Sequence, residues 1–504
     1  MTKFHVTKFA FDFSCKKFQI KHVSVLGHEK KINLIKMNKS KSINISGWKF
    51  FQRYLQTKTN KEQHNNQSPT RIQNIQPTVT QINQIKVVSI DAVLPSSVSR
   101  LAITFHAGAR FENASNAGIT HFIRRFVGLR SIKATNFHIT RTIQQAGGNL
   151  YCICDREFIS IFVVVRREAL HHGFNAIRHA ATHHRFNAWE IADNVHYIKD
   201  DIERMSGATK SMEMLHHAAF RYGLGNSIYC PEHNSNGFSA EQLQSYCSEF
   251  LSANRCTIAG VNVSPKELES FAGDLSFSAL GKKPAPEQSK FKGGEIRLHT
   301  AGNLAHVSVA TEGTLLHCTS MTYIFAVLQH IWGVGPSINF STMKLYGCGL
   351  LSRKIEEALP GEFYICRGIN VSYSDGGLFG FQITADKSNI RKALTVAMDA
   401  FRQSNSFDEK TVEMGKMKLK NEILFNLESE QAVLEEMSGQ TMISEEKLIT
   451  LSGLLAEIDA ISVKDVNKVG KYIAEKKNFA MSAVGNLENV PYLDEVLIGS
   501  DNKI

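Results

Sequence analysis

The chain has 504 residues, 43% of them hydrophobic and 21% charged, which is an ordinary globular composition with room for roughly two to four domains. Its densest apolar run, Phe158-Ile159-Ser160-Ile161-Phe162-Val163-Val164-Val165, has only strand length, so any membrane association is expected to be peripheral. The net charge of +11 does not mark a nucleic-acid surface: residues 1–85 carry 15 Lys plus Arg against Asp12, Glu29 and Glu62, while the remainder holds 43 basic and 44 acidic residues.

In chain order, residues 1–85 read as a disordered basic arm containing a mitochondrial presequence. From Met37 onward, Lys39, Lys41, Lys49, Arg53, Lys58 and Lys61 occur with no acid before Glu62. Ile45, Trp48, Phe51 and Leu55 follow helical spacing, and an acid-free basic amphipathic helix is the import signature. The other reading is a basic tail without that role. Residues 1–36 contain Asp12 and Glu29 and suit a presequence less well, which points to Met37 as the working start. Cleavage is expected near 54–57, with 60–84 as a flexible lead-in.

The body that follows is organised by a repeat with an offset of roughly 220 residues. Strand-like 99–108 precedes a helix over 117–129. Residues 150–165 form two strands around Asp155-Arg156-Glu157, followed by a helix over 167–181, a long helical stretch over 188–220 and a strand over 256–260. A Pro- and Gly-rich linker, 282–294, comes next. The second set then runs as strand 305–313, helix 319–332, two strands over 369–384 around Ser374-Asp375-Gly376-Gly377, helices over 388–401 and 408–442, and strand 479–485. Gly376-Gly377 is a turn device here, since no P-loop or Rossmann context surrounds it. The fold class is therefore α+β: two homologous lobes, 86–281 and 295–504, each a mostly antiparallel sheet packed with helices.

The chemistry centres on His121-Phe122-Ile123-Arg124-Arg125. An inverted zinc motif, H-x-x-E-H, places two imidazoles at i and i+4 on one helical face, with a glutamate to deprotonate the metal-bound water. Here Arg124 stands at the base and Arg125 at the second ligand, and a guanidinium cannot ligate a cation. Two readings of these arginines are open. They are surface cations near an interface, or they fill the vestigial pocket and pair with acids near 200–203. No catalytic residue, metal ligand or cofactor is assigned.

Elsewhere, His179 and His183 lie at i and i+4 with His184 adjacent and His171-His172 two turns earlier. They read as a polar solvent face, with a divalent-metal site as the alternative. His216-His217 reads as helix packing. The nine cysteines (Cys15, Cys152, Cys154, Cys230, Cys247, Cys256, Cys318, Cys348, Cys366) form no C-x-x-C pair and suit a reducing compartment as core residues.

Gly108-Ala109-Arg110-Phe111-Glu112, followed by Gly118-Ile119-Thr120-His121 within duplicated α+β lobes, resembles the pitrilysin-type (M16) zinc peptidases. Within that family the chain is most similar to the core-protein branch of the mitochondrial cytochrome bc1 complex. The likeness runs through roughly 85–498 and includes Leu215-His216-His217-Ala218-Ala219-Phe220-Arg221 and Val371-Ser372-Tyr373-Ser374-Asp375-Gly376-Gly377-Leu378-Phe379-Gly380. The resemblance implies a non-catalytic, matrix-facing subunit of complex III. Its partners would be core protein 1, cytochrome b, cytochrome c1 and the Rieske protein, with haems and iron–sulfur centre in other subunits. A third zinc-family ligand is expected about 75 residues beyond the motif, where Lys199, Asp200, Asp201 and Glu203 all lie. The non-catalytic processing-peptidase subunit carries a long glycine-rich loop, and Gly333-Val334-Gly335-Pro336 is far too short for it. The competing readings are an active zinc peptidase and a presequence-binding partner of the processing peptidase.

Overall fold

The structure is a computed structural model that describes residues 77–90, 97–277, 288–316, 319–335, 349–403, 406–443 and 448–501. The presequence region from Met37, residues 282–287 of the linker, Pro336, Cys15, Cys318 and Cys348 lie outside the described residues.

The first lobe begins with β1 (Thr78–Ile82), β2 (Ile85–Ile90) and β3 (Val98–Phe105), followed by α1 (Ile119–Phe126) and α2 (Asn136–Gln145). A hairpin of β4 (Asn149–Cys154) and β5 (Ile159–Arg166) leads to α3 (Leu170–Ala181), α4 (Ala188–Glu203) and α5 (Gly207–Phe220). The lobe closes with α6 (Ala240–Phe250), β6 (Cys256–Val261) and α7 (Pro265–Gly273). The second lobe has β7 (Gly294–His299), β8 (Leu304–Glu312), α8 (Thr319–Trp332) and α9 (Leu350–Ala358). Its hairpin is β9 (Tyr364–Ser372) and β10 (Gly377–Asp386), before α10 (Ile390–Gln403), α11 (Glu409–Leu427) and α12 (Glu430–Ile443). It ends with α13 (Leu451–Ala460), α14 (Val463–Ala474), β11 (Ala480–Gly485) and α15 (Leu493–Asp501).

The two sheets share one topology. Their strand orders are β1-β2-β6-β3-β5-β4 and β7-β11-β8-β10-β9, so removing β1 superimposes them strand for strand. In each, one pair is parallel (β2 with β6, β7 with β11) and every other pair is antiparallel. The repeat is therefore a duplication of fold.

The span 1–85, expected to be disordered, is corrected at its end. Thr78-Val79-Thr80-Gln81-Ile82 is β-branched enough to add an edge strand, and it pairs with β2 through a two-residue turn. That turn holds Asn83 and Gln84 at φ 48° and 69°, the left-handed pair whose twist matches a hairpin. The Ser374–Gly377 turn works differently, because none of its residues has a positive φ. Its glycines serve close approach: a Cβ on Gly377 would collide with the Thr314 carbonyl.

The expected long helices at 188–220 and 408–442 each break in two, and the break has a purpose. Ser206 caps α5 by accepting the Thr209 N–H at 3.1 Å, which redirects the chain. Helix α5 crosses to the second sheet, where Leu215, Ala218, Ala219 and Phe220 pack on Ala310, Ile369, Leu378 and Ala480. Ser211 meets Ser308 and Ser482 there at 2.7 and 2.9 Å. Helix α12 returns the exchange, laying Val433, Leu434 and Met437 on Val88, Ile90, Ala102, Phe162, Ala259 and Val261. Its Ser438 hydroxyl lies 2.7 Å from that of Thr104. Each sheet thus has its own helices on one face and the other lobe's helix on the opposite face. This accounts for β6 and β11 being buried along their whole length. Among the described residues no helix is long and apolar enough to cross a membrane.

Candidate functional site

Helix α1 is launched by Glu112, which accepts the N–H groups of Gly118 and Thr120 at 2.7 and 2.9 Å and the Thr120 hydroxyl at 2.6 Å. Burial pushes the Glu112 carboxyl up to about 7 against those bonds. The helix then presents His121, which is fully buried.

The ring of His121 is held in one tautomer. Its Nδ1 accepts the Cys230 N–H at 3.2 Å, so Nε2 carries the proton and donates to Asp201 Oδ2 at 3.1 Å. Burial first, then the Arg124 and Arg125 charges, lower its pKa to about 4 despite Asp201, so the imidazole is neutral at pH 7. Arg125 grips both carboxylate oxygens of Asp201 through Nε and Nη2. Arg124 lies 3.6 Å from the same group and stacks over Tyr229 at 5.5 Å. Burial pushes the Asp201 carboxyl up, but the bonds from Arg125 and His121 outweigh it and hold the group below its ordinary range.

Of the four residues at the expected third-ligand position, only Asp201 reaches the pocket. Lys199 bonds Asn236 at 3.1 Å and Asp200 pairs with Arg204 at 3.4 Å, both at the surface, and Glu203 is exposed. The pocket that the motif frames is therefore occupied by protein. The nitrogen a metal would need is an N–H donor, the second ligand is a guanidinium, and the one carboxylate is already neutralised by it. These residues do not fit a zinc ion, and among the described residues no cluster of three or more His, Cys, Asp or Glu is arranged to hold one. Of the two readings of Arg124 and Arg125, the geometry selects the filled pocket.

The second lobe has a counterpart. Helices α1 and α8 each run out at a glycine of positive φ, Gly128 and Gly333, three residues beyond Arg125 and His330. His330 meets Glu422 of α11 at 2.6 Å, as Arg125 meets Asp201 of α4. A polar pair between equivalent helices recurs in both halves.

A second constellation, with no role assigned from sequence, joins the lobes. Arg110, fully buried, donates to Glu157, to the Ser374 hydroxyl at 2.9 Å and to Asp375 at 2.7 Å. Beside it Arg156 pairs with Glu213 at 2.8 Å and donates to the Leu224 carbonyl at 3.1 Å. His216 donates from Nδ1 to the Met212 carbonyl at 2.8 Å and accepts the Tyr373 hydroxyl at 3.0 Å. The turns of the two equivalent hairpins, 155–157 and 374–377, thus meet at the junction. The sequence showed the turn acids Asp155, Glu157 and Asp375, but nothing local marked Arg110 as the cation for Glu157 and Asp375, and Arg156 pairs with Glu213 instead.

The other expected residues do not assemble into a site. His179 bonds the Ser131 hydroxyl at 3.2 Å and faces His183 with ring centres 5.9 Å apart. The solvent face expected for this cluster holds for His171, which is exposed, and is corrected for His172, His179, His183 and His184, which are half-buried against the lobe; burial lowers His184 to about 4. Cys154 is buried in the first core with Cys152 packed beside it.

Comparison with known proteins places this geometry. Residues 86–232 match Insulinase (Peptidase family M16), and residues 237–419 match the Peptidase M16 inactive domain. The chain is 28% identical over 420 residues to "Cytochrome b-c1 complex subunit 2, mitochondrial" of Mus musculus, covering 82% of this chain and 90% of that protein. The Homo sapiens protein of the same name is 29% identical with the same coverage. A "Probable mitochondrial-processing peptidase subunit alpha-2, chloroplastic/mitochondrial" of Arabidopsis thaliana is 23% identical, covering 80% of this chain and 81% of that one. A chain of the solved "Complex III2 from Candida albicans, Inz-5 bound" shares the fold at a TM-score of 0.72 and 21% identity, over 84% of this chain and 99% of that one.

Proposed function

We propose that this chain, which belongs to peptidase family M16, is a non-catalytic core subunit of mitochondrial complex III, the counterpart of core protein 2. One observation carries the reading: Arg125 and Asp201 close the metal pocket from within, while the two-lobed scaffold around it is kept whole. A scaffold kept without its chemistry serves assembly. Ubiquinol oxidation and cytochrome c reduction then belong to other subunits, and this chain supplies no cofactor. Its partners are core protein 1, cytochrome b, cytochrome c1 and the Rieske protein. It lies on the matrix side of the inner membrane, peripheral to it. The basic arm, with presequence character from Met37, supports import into mitochondria.

A second reading, a presequence-binding partner of the processing peptidase, draws on the weaker likeness to the Arabidopsis alpha subunit. Affinity capture of the tagged chain from detergent-solubilised mitochondria, read by mass spectrometry, separates the two. The first reading predicts cytochrome b, cytochrome c1 and core protein 1 in the eluate. Processing-peptidase subunits in their place would favour the second.

A further inference from the structure

We propose that the surface where the end of α5, residues 288–293 and the approach to β11 converge is a contact for anionic phospholipid, which seats the chain against the membrane. The inference rests on the reading of the chain as a peripheral subunit of a membrane complex. Helix α5 ends in a γ-turn: Arg221 has φ 66° and ψ −46°, and the Tyr222 N–H donates to the Phe220 carbonyl at 2.9 Å. That conformation is strained for any residue but glycine. It turns both side chains outward, and Tyr222 is 81% exposed.

Two other segments are hydrogen-bonded to this turn. The Lys292 N–H donates to the Ala219 carbonyl at 2.7 Å, and Leu224 N–H donates to the Ser289 hydroxyl at 3.2 Å. Asn478, next to Lys477, donates to the Lys292 carbonyl at 3.3 Å. The result is four exposed cations, Arg221, Lys290, Lys292 and Lys477, around an exposed tyrosine. None of the four is in an ion pair among the described residues, and residues 219–224, 288–294 and 476–479 contain no Asp or Glu. Of the neighbouring carboxylates, Asp375 is turned inward onto Arg110, Glu312 pairs with Lys476 at 3.0 Å and Glu475 lies 3.9 Å from Lys471.

Unpaired cations spread over three segments, with an amphipathic ring among them, suit a layer of negative headgroups. The surface potential attracts each base, and a tyrosine settles with its ring at the headgroup level. An acidic polypeptide is the competing occupant, because it would satisfy the same charges.

Flotation of the full chain with phosphatidylcholine vesicles, with and without phosphatidylglycerol, tests the proposal. The basic arm also draws anionic vesicles, so the readout is a difference between variants that share it. Each lysine removed should lower partitioning about fivefold, so Lys290→Ser/Lys292→Ser/Lys477→Ser should lose about a hundredfold on anionic vesicles. A control, Lys392→Ser/Lys410→Ser/Lys464→Ser, removes three exposed lysines elsewhere and should keep its binding. Arg221→Gly removes a fourth charge while relieving the turn, so it should bind more weakly yet melt no lower than wild type. Equal partitioning of the two triple variants would overturn the proposal, as would polyglutamate binding that depends on these lysines when vesicle binding does not. Co-migration with complex III is scored separately. A chain that enters the complex while its triple variant binds vesicles undiminished refutes the lipid contact alone.

Discussion

His121 shows how a ligand becomes a structural residue through its partners. The Cys230 N–H fixes the tautomer, Asp201 takes the remaining proton, and burial with Arg124 keeps the ring neutral. Its pKa of about 4 lies below the 6.5 of an unfolded histidine, so the unfolded chain binds more protons between those values. The stability from His121 is therefore complete above pH 6.5 and is lost as pH falls toward 4. His184 and His216, both lowered chiefly by burial, act in the same direction. Glu112, raised to about 7, acts in the opposite one, gaining stability as pH falls through 7. His172, His179, His183 and His306 are lowered as well, and only Asp155 joins Glu112 among the raised carboxyls, so net acid destabilisation is expected in this window. His121→Gln can keep both hydrogen bonds without titrating, and it should reduce the loss between pH 6.5 and 4 by up to about 3 kcal/mol. Urea unfolding at a series of pH values checks this, and an unchanged pH slope would contradict it. His121, Arg124 and Arg125 were legible in the sequence because motif spacing is local. Asp201 was not, because four polar residues crowd the same turn of α4 and only packing decides which one faces inward.

At the scale of elements, the equivalent hairpin turns are held together by buried charge. Arg110 is the cation for both Glu157 and Asp375, so Arg110→Met would leave two carboxylates at the junction without a counter-charge. Breaking a buried pair in this way costs about 3–5 kcal/mol. The double variant Arg110→Met/Glu157→Gln should recover part of that loss, and urea midpoints for the two variants check both expectations. Strands and hairpins were legible because alternation and turn residues are short-range signals. The crossing of α5 and α12 was not: an apolar helical face such as Leu215, Ala218 and Ala219 shows that something is covered, but not which sheet. The same limit hid Arg110, whose partners lie 47 and 265 residues away.

For the whole molecule, helix exchange makes the two lobes one folding unit. Removing the second lobe would strip α12 from Val88, Ile90, Phe162 and Val261 and expose a sheet face that is dry in the intact chain. Calorimetry should therefore show one cooperative transition for the full chain, and two separated transitions would contradict the exchange. The repeat itself was legible, since both halves keep the same order of patterns, and the shared sheet topology explains why. That symmetry also explains how the chemistry could be lost without the shell: the second lobe builds the same frame with His330 and Glu422 where the first has Arg125 and Asp201. The central claim is that this closed shell serves as a core subunit. Blue-native electrophoresis of mitochondria tests it most directly. The account predicts that the chain migrates with cytochrome b and core protein 1 in the complex III band, and its absence from that band would contradict it.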